Sequence, residues 1–230
     1  MYKDKTLLAI IPARSGSKGV TDKNIKELCG APLLSYSIKQ AHESKVVDYI
    51  YLSTDSKKYA ETGKRFGAQV PFLRPESIST DKSLADEFII HAIDSIMLDG
   101  KSFDYFIVLQ PTSPMRKAED IEKAFKMAVD NALDSVVSVC AAEHPIQYYN
   151  TLNNDLSMNN FIPKVQNRQD YKKYYRVNGA LYICTTKQYK ENRSFYGENS
   201  KAYIMDSNSS IDIDTEFDFK LAELLINEHK

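Results

Sequence analysis

The pattern of this 230-residue chain predicts an α/β fold, a mostly parallel sheet with helices on both faces. Short runs rich in Leu and β-branched residues alternate with segments of helical period from the N-terminus to residue 140. The first of these runs stops at Pro12, and a basic, glycine-containing loop follows at once. The length suffices for one sizeable core, whereas two full domains would be crowded. With 30 Lys and Arg against 31 Asp and Glu, the formal net charge is −1, and no global field draws the chain to nucleic acid or an anionic membrane. No apolar run approaches the ~18 residues of a membrane span, and the start lacks the apolar stretch and cleavage site of a secretory signal. A soluble, cytoplasmic protein with neither nucleic acid nor membrane as partner is expected. Cys29, Cys140 and Cys184 are widely spaced and without metal-ligand companions, which fits reduced core thiols.

The elements follow in order. TLLAIIP reads as a buried strand. Pro32 then opens the helix PLLSYSIKQAHES, because a proline at the first turn gives up only a donor that has no partner there. DYIYLST is a strand, Ser56 to Phe66 a polar helix, Val70 to Leu73 a short strand, and Ser83 to Leu98 an amphipathic helix. FDYFIVLQ is a strand stopped by Pro111, Lys117 to Ala132 a helix, and SVVSVC a strand. Residues 143–176, rich in Asn, Tyr, Lys and Pro and without sustained period, read as an insertion. Strands resume at GALYIC and AYIM, and after IDID the helix TEFDFKLAELLINEH closes the chain. The expectation is one domain, 1–230, carrying an inserted arm at about 143–176.

Chemistry concentrates at a few places. In TLLAIIPARSGSKGVTDKN, Arg14, Lys18 and Lys23 are threaded through Gly16, Gly19 and small hydroxyl residues. Glycines let backbone N–H groups approach phosphate oxygens, and the cations add charge that backbone dipoles lack. The spacing is neither the Walker GxxxxGK[ST] nor the dinucleotide GxGxxG, and a solvated basic loop is the plain alternative. In IDID, at Ile211 to Asp214, period two in a strand turns both carboxylates to one face, a clamp for a hard cation. The alternative is a solvent-facing Asp212 with Asp214 or Thr215 capping the last helix. Gln110 ends its strand before PTSPMR, at the edge where α/β sheets bind ligands, although a turn-capping amide reads the same. Residues 161–176 carry Lys164, Arg168, Lys172, Lys173 and Arg176 against Asp170, with Tyr171, Tyr174 and Tyr175 interleaved. Such density suits an arm reaching an anionic substrate, a single-strand nucleic-acid platform or a solvated face.

Taken in order, IPARSGSKG with KN, STD, LRP, LQPTSPMR, EHP, RQ, YRVNGALYI and SIDIDT closely resemble the CMP-sialic acid synthetases, the acylneuraminate cytidylyltransferases, nearly end to end. The resemblance implies a Rossmann-like nucleotidyltransferase fold and a homodimer whose inserted arm completes the neighbour's site. It further implies transfer of CMP from CTP to the anomeric 2-hydroxyl of a nine-carbon 2-keto sugar acid, with release of pyrophosphate and help from Mg²⁺ or Mn²⁺. Arg14, Lys18, Lys23 and Asn24 match the triphosphate loop, with Lys23 at the α-phosphate. Arg74 matches a residue near the cytosine, and Ser83 is a weaker match there. Gln110, Asn178 and Tyr182 match substrate contacts, and Arg168 the arm residue facing the sugar carboxylate. Phe195 and Tyr196 resemble the apolar wall around an acyl group, and Asp212 and Asp214 the metal carboxylates. Lys23, Arg14, Asp212 and Asp214 are thus the expected catalytic set. Gln147 stands where sialic acid members carry lysine, so legionaminic or pseudaminic acid are alternative acceptors. More distant alternatives are a sugar-1-phosphate nucleotidyltransferase and a non-catalytic nucleotide-binding module.

Overall fold

The computed structural model describes residues 1–17, 19–159, 161–162 and 172–228. Strand β1 (Leu7–Pro12) is buried on both faces, as its unbroken apolar run requires. Leu7, Ala9 and Ile11 enter one core with Ile38 and Phe125, from helices α1 (Leu33–Glu43) and α4 (Ala118–Asp130). Leu8 and Ile10 enter a second core with Ile93 and Tyr189, from α3 (Ala85–Leu98) and α5 (Thr186–Asn192). Period two in one strand thus builds two cores, one on each side of the sheet.

The sheet has six strands in the order β4-β1-β5-β7-β6-β8, with β4 at Tyr49–Ser53, β5 at Tyr105–Val108, β6 at Ser135–Ala141, β7 at Tyr175–Thr185 and β8 at Ser200–Met205. β1 pairs in parallel with β4 on one side and β5 on the other, so the chain reverses its direction of travel across the sheet at β1. Crevices form at such switch points, outside the carboxyl ends of the strands. β7 runs antiparallel between β5 and β6, and β6 pairs in parallel with β8, so the sheet is mostly but not wholly parallel.

A small hairpin, β2 (Glu27–Leu28) with β3 (Ala31–Pro32), turns through Cys29 at φ 49° and Gly30 at φ 85°. Two successive positive φ values make the mirror-image turn whose twist matches a tight hairpin. The last helix α6 (Glu216–Glu228) lays Phe219 and Ala222 on Leu28, Leu33 and Ile213. Helix α2 (Lys57–Arg65) starts as the sequence predicts, its cap Ser56 accepting from the Tyr59 N–H at 3.4 Å.

Several expectations change. Val70–Leu73 forms no strand: pairing stops at a bridge between Tyr51 and Gln69, and Pro71, without an N–H, cannot extend the ladder. The strand expected at GALYIC begins earlier, at Tyr175, so two residues of the expected insertion belong to the sheet. IDID opens with extended backbone at Ile211 but, among the described residues, pairs in no strand. Helix α5 fell outside the sequence reading, although Thr185, accepting from the Gln188 N–H at 3.4 Å, is an ordinary cap for it. Among the described residues of the arm, the only regular element before β7 is a single 3-10 turn at Ile146–Tyr148. Among the described residues, no helix is long and apolar enough to cross a membrane.

Candidate functional site

Loops behind the carboxyl ends of β1 and β5, the segment 74–88 and the IDID segment enclose a cleft of about 500 Å³. Arg14, Lys23, Asn24, Arg74, Ser83, Gln110, Asp212 and Asp214 all line it. Residues spread over two hundred positions therefore share one wall because the sheet brings their strand ends to one edge.

The basic loop is held from both ends. Ser15 donates its N–H to Asp55 at 2.8 Å, and Asn24 donates its side-chain amide to the Arg14 carbonyl at 3.1 Å. The Arg14 guanidinium donates to Asp81 at 2.6 Å, across the cleft mouth. Asp22, left-handed at φ 52°, accepts from Tyr59 at 2.9 Å and Lys58 at 3.0 Å, and so fixes the turn that delivers Lys23. The Lys23 ammonium donates to the Ile213 carbonyl at 2.7 Å and to Asp214 at 3.1 Å. This pair welds the basic loop to the acidic segment. Gly19 approaches the Asp214 carbonyl so closely that a Cβ there would lie 2.3 Å from the oxygen. Lys18 lies outside the described residues.

Buried Ile213 anchors the acidic segment beneath α6, and its N–H donates to the Thr112 carbonyl at 2.8 Å. Asp212 and Asp214, on the alternate positions, therefore face the cleft even without a strand ladder. Burial pushes the Asp212 carboxyl above the usual aspartate range and the like charge of Asp214 adds to the shift, while Thr112, Lys23 and Arg176 oppose it. Two carboxylates held close against their electrostatic preference are suited to a divalent cation. Among the described residues no group of three or more His, Cys, Asp or Glu gathers, this site included, so a cation here would complete its shell from water and phosphate oxygens. Mg²⁺ binds in that way, and the donor set fits it.

Arg74 is only 5% exposed, sits 5.6 Å over the Phe88 ring and, among the described residues, finds no partner for its Nε and one terminal nitrogen. Burial lowers its pKa and the charge of Arg14 adds to that, partly offset by Asp55 and Tyr51. Unpartnered buried donors at a cleft wall are donors a ligand can satisfy. The Ser83 hydroxyl accepts from the Thr80 N–H at 3.0 Å, shaping the loop beside them. Phe88, Thr112 and Asp81 were not among the candidates from sequence: Thr112 sits in the PTSPMR turn and Asp81 in the stretch STDKSLA around Ser83, while nothing in the linear pattern marks Phe88.

Other sequence candidates lie apart from this cleft. Tyr182 stacks on Phe195 at 5.2 Å, and burial pushes its phenol up to about 12, with Tyr196 and Asp212 adding. Phe195 and Tyr196 line a second, apolar cavity of about 270 Å³ with Val137, Val139 and Val177. Asn178 is in the core rather than on either cavity wall. Its amide accepts from Ser138 and the Ala180 N–H and donates to Ser210 at 2.8 Å, which uses its capacity within the protein. Gln147 donates to the Tyr174 hydroxyl at 3.4 Å. Arg168 lies outside the described residues.

A family model described as Cytidylyltransferase matches residues 8–225, and the chain belongs to that family. It is 41% identical over 224 residues to an N-acylneuraminate cytidylyltransferase of Escherichia coli, covering 94% of this chain and 51% of that relative. The chain thus spans about half the length of that relative. It is 38% identical over 231 residues to a CMP-N,N'-diacetyllegionaminic acid synthase of Legionella pneumophila, covering 96% of each. A pseudaminic acid cytidylyltransferase of Campylobacter jejuni is 31% identical over 220 residues, with 95% of each chain covered. Among solved structures, a CMP:2-keto-3-deoxy-manno-octonic acid synthetase complexed with CTP aligns over 98% of this chain and all of its own, at TM-score 0.73 and 16% identity. That likeness bears out the nucleotidyltransferase fold.

Proposed function

We propose that this chain transfers CMP from CTP to the anomeric 2-hydroxyl of a nine-carbon 2-keto sugar acid, N-acetylneuraminic acid or a relative of it, and releases pyrophosphate. The observation that carries the reading is the single cleft in which a glycine-containing cationic loop faces two carboxylates, with unpartnered Arg74 nitrogens at the side. Arg14 and Lys23, with Lys18 from the same loop, bind the triphosphate, and Asn24 holds the loop's shape. Arg74, backed by Phe88, receives the cytosine, with Ser83 beside it. Gln110 and Tyr182 contact the sugar acid, Phe195 and Tyr196 line the recess for its acyl group, and Arg168 of the arm meets its carboxylate.

Positioning and charge neutralisation supply the catalysis. The 2-hydroxyl attacks the α-phosphorus in line with the departing pyrophosphate, and charge grows on equatorial and leaving oxygens. Lys23, fixed by its bond to the Ile213 carbonyl, meets that charge without reorganising. Asp212 and Asp214 would hold a Mg²⁺ ion, or Mn²⁺ in its stead, which when bound neutralises phosphate oxygens.

The reading includes one 1–230 domain with an arm at about 143–176, and a homodimer in which that arm reaches the partner's site. Exposed Tyr149, Leu152, Leu156 and Met158 support a surface that a second copy covers. A cytoplasmic location belongs to it as well, since CTP and unpaired thiols go with that compartment. Gln147 favours a second reading of the acceptor: where sialic acid members carry a lysine, a neutral amide suits legionaminic or pseudaminic acid. Pyrophosphate release from CTP with a panel of nine-carbon keto acids and sugar 1-phosphates tests all of this. Turnover with the sugar phosphates alone, or with none, would overturn the proposal.

A further inference from the structure

Arg116 is the bulkiest fully buried side chain among the described residues, and its hydrogen-bond partners are all neutral. One terminal nitrogen donates to the Ala180 carbonyl and, at 3.5 Å, to the Gln110 carbonyl. The other donates to the Ser37 hydroxyl at 2.7 Å and to the Gln40 side-chain oxygen at 2.8 Å. Ser37 in turn donates to the same Gln110 carbonyl, at 3.2 Å. Among the described residues no carboxylate hydrogen-bonds this buried cation, and only the more distant charge of Asp120 opposes its desolvation. Such a cation is a poor device for stability, because an apolar side chain of similar size commonly holds a fold as well or better. Its contacts instead converge on the backbone behind two cleft groups. Ala180 follows Gly179, which stands at φ 76° beside a register shift in the pairing of β6 with β7. A Cβ on Gly179 would come within 2.9 Å of the Gln110 side-chain oxygen and 3.8 Å of an Asp212 oxygen. The chain behind Gln110 and the chain under it are therefore pinned by one guanidinium.

We propose that Arg116 is a positioning residue for the sugar-acid half of the cleft, setting Gln110 at the place where the acceptor is read. The inference rests on the reading that Gln110 contacts the acceptor. Burial lowers the Arg116 pKa to about 9, which fits a cation kept in an environment that disfavours it. The nucleotide half, held by Arg14, Lys23 and Arg74, shares none of these contacts.

The test compares Arg116→Met, Arg116→Lys, Ser37→Ala and Gln110→Ala by steady-state kinetics on both substrates and by thermal melting. A displacement of about 1 Å at a binding group costs up to ~10²-fold. Arg116→Met is therefore expected to raise the acceptor KM at least about tenfold while the CTP KM moves less than about twofold. Arg116→Lys should recover part of the loss, and Ser37→Ala should show the same signature at smaller size. Folded Arg116→Met with both KM values unchanged, or with both raised alike, overturns the proposal. If Arg116→Met does not fold, Ser37→Ala decides by the same criterion. Should Gln110→Ala leave the acceptor KM untouched, the reading of Gln110 fails, whereas a Gln110 effect without an Arg116 effect sinks only the positioning role.

Discussion

At Gly19 the smallest substitution meets backbone, since a Cβ would stand 2.3 Å from the Asp214 carbonyl oxygen. Gly19→Ala must push the basic loop away from the acidic segment, a forced shift that costs ~1–3 kcal/mol by analogy with overpacking. A lowered melting temperature and reduced turnover are expected, and an unchanged value of either would show that the close approach is dispensable. Lys23→Ala removes one preorganised charge, for which a loss of ~10²–10³ in kcat is usual. A rise confined to the CTP KM would instead mean uniform binding. Asp212 carries a sign of its own. Because burial holds its pKa in the fold above the ordinary aspartate range, the ionised form costs the fold stability at neutral pH, and the cost disappears below that range, where folded and unfolded chains are both protonated. Asp212→Asn should therefore raise the melting temperature in metal-free buffer near pH 7.5 but not near pH 3, while abolishing Mg²⁺-dependent turnover. A lower melting temperature at pH 7.5 would contradict the sign. The facing of Asp212 and Asp214 was legible because alternation survives in any extended backbone. The place of Asn178 was not, since an amide in NGALYI reads alike whether Ser138 or a ligand meets it.

Between elements, the pairing of Arg14 with Asp81 ties the loop after β1 to the turn before α3. A triphosphate competes with Asp81 for the same guanidinium. Ion pairs exposed to this degree contribute ~0.2–1 kcal/mol, so releasing Arg14 from Asp81 is worth about 1.4- to 5-fold in affinity. Asp81→Asn should lower the CTP KM by about that factor with kcat little changed. An increase would mean that Asp81 holds Arg14 in its working position instead of away from it. Asp81 escaped the sequence reading because an acid in STDKS looks like any solvated turn. Helices α1, α3 and α4 were legible from their periods, and the stop of β1 from Pro12. The antiparallel course of β7 was not, because an apolar strand reads identically in either direction.

On the scale of the whole molecule, the strand order with its reversal at β1 brings residues 14 and 214 to one cleft, so a chain of formal net charge −1 still presents anions with a cationic loop. The alternation of elements foretold the sheet and the edge that matters, while cleft walls made by loops far apart in sequence needed the fold. The proposed arm leads to the last prediction. If Arg168 of one chain serves the sugar bound by its partner, Arg168→Ala and Lys23→Ala place their defects in opposite subunits of a mixed dimer, one of whose two sites then carries both native residues. Each variant alone should be nearly inactive. Random exchange of subunits makes half the dimers mixed, so the blend should approach about a quarter of wild-type activity. Subunit exchange verified by differently tagged chains, followed by pyrophosphate release, measures it. No recovery after verified exchange would put Arg168 and Lys23 in one subunit's site or leave Arg168 without a role, and the shared-site arrangement would fall while the chemistry of the cleft stood.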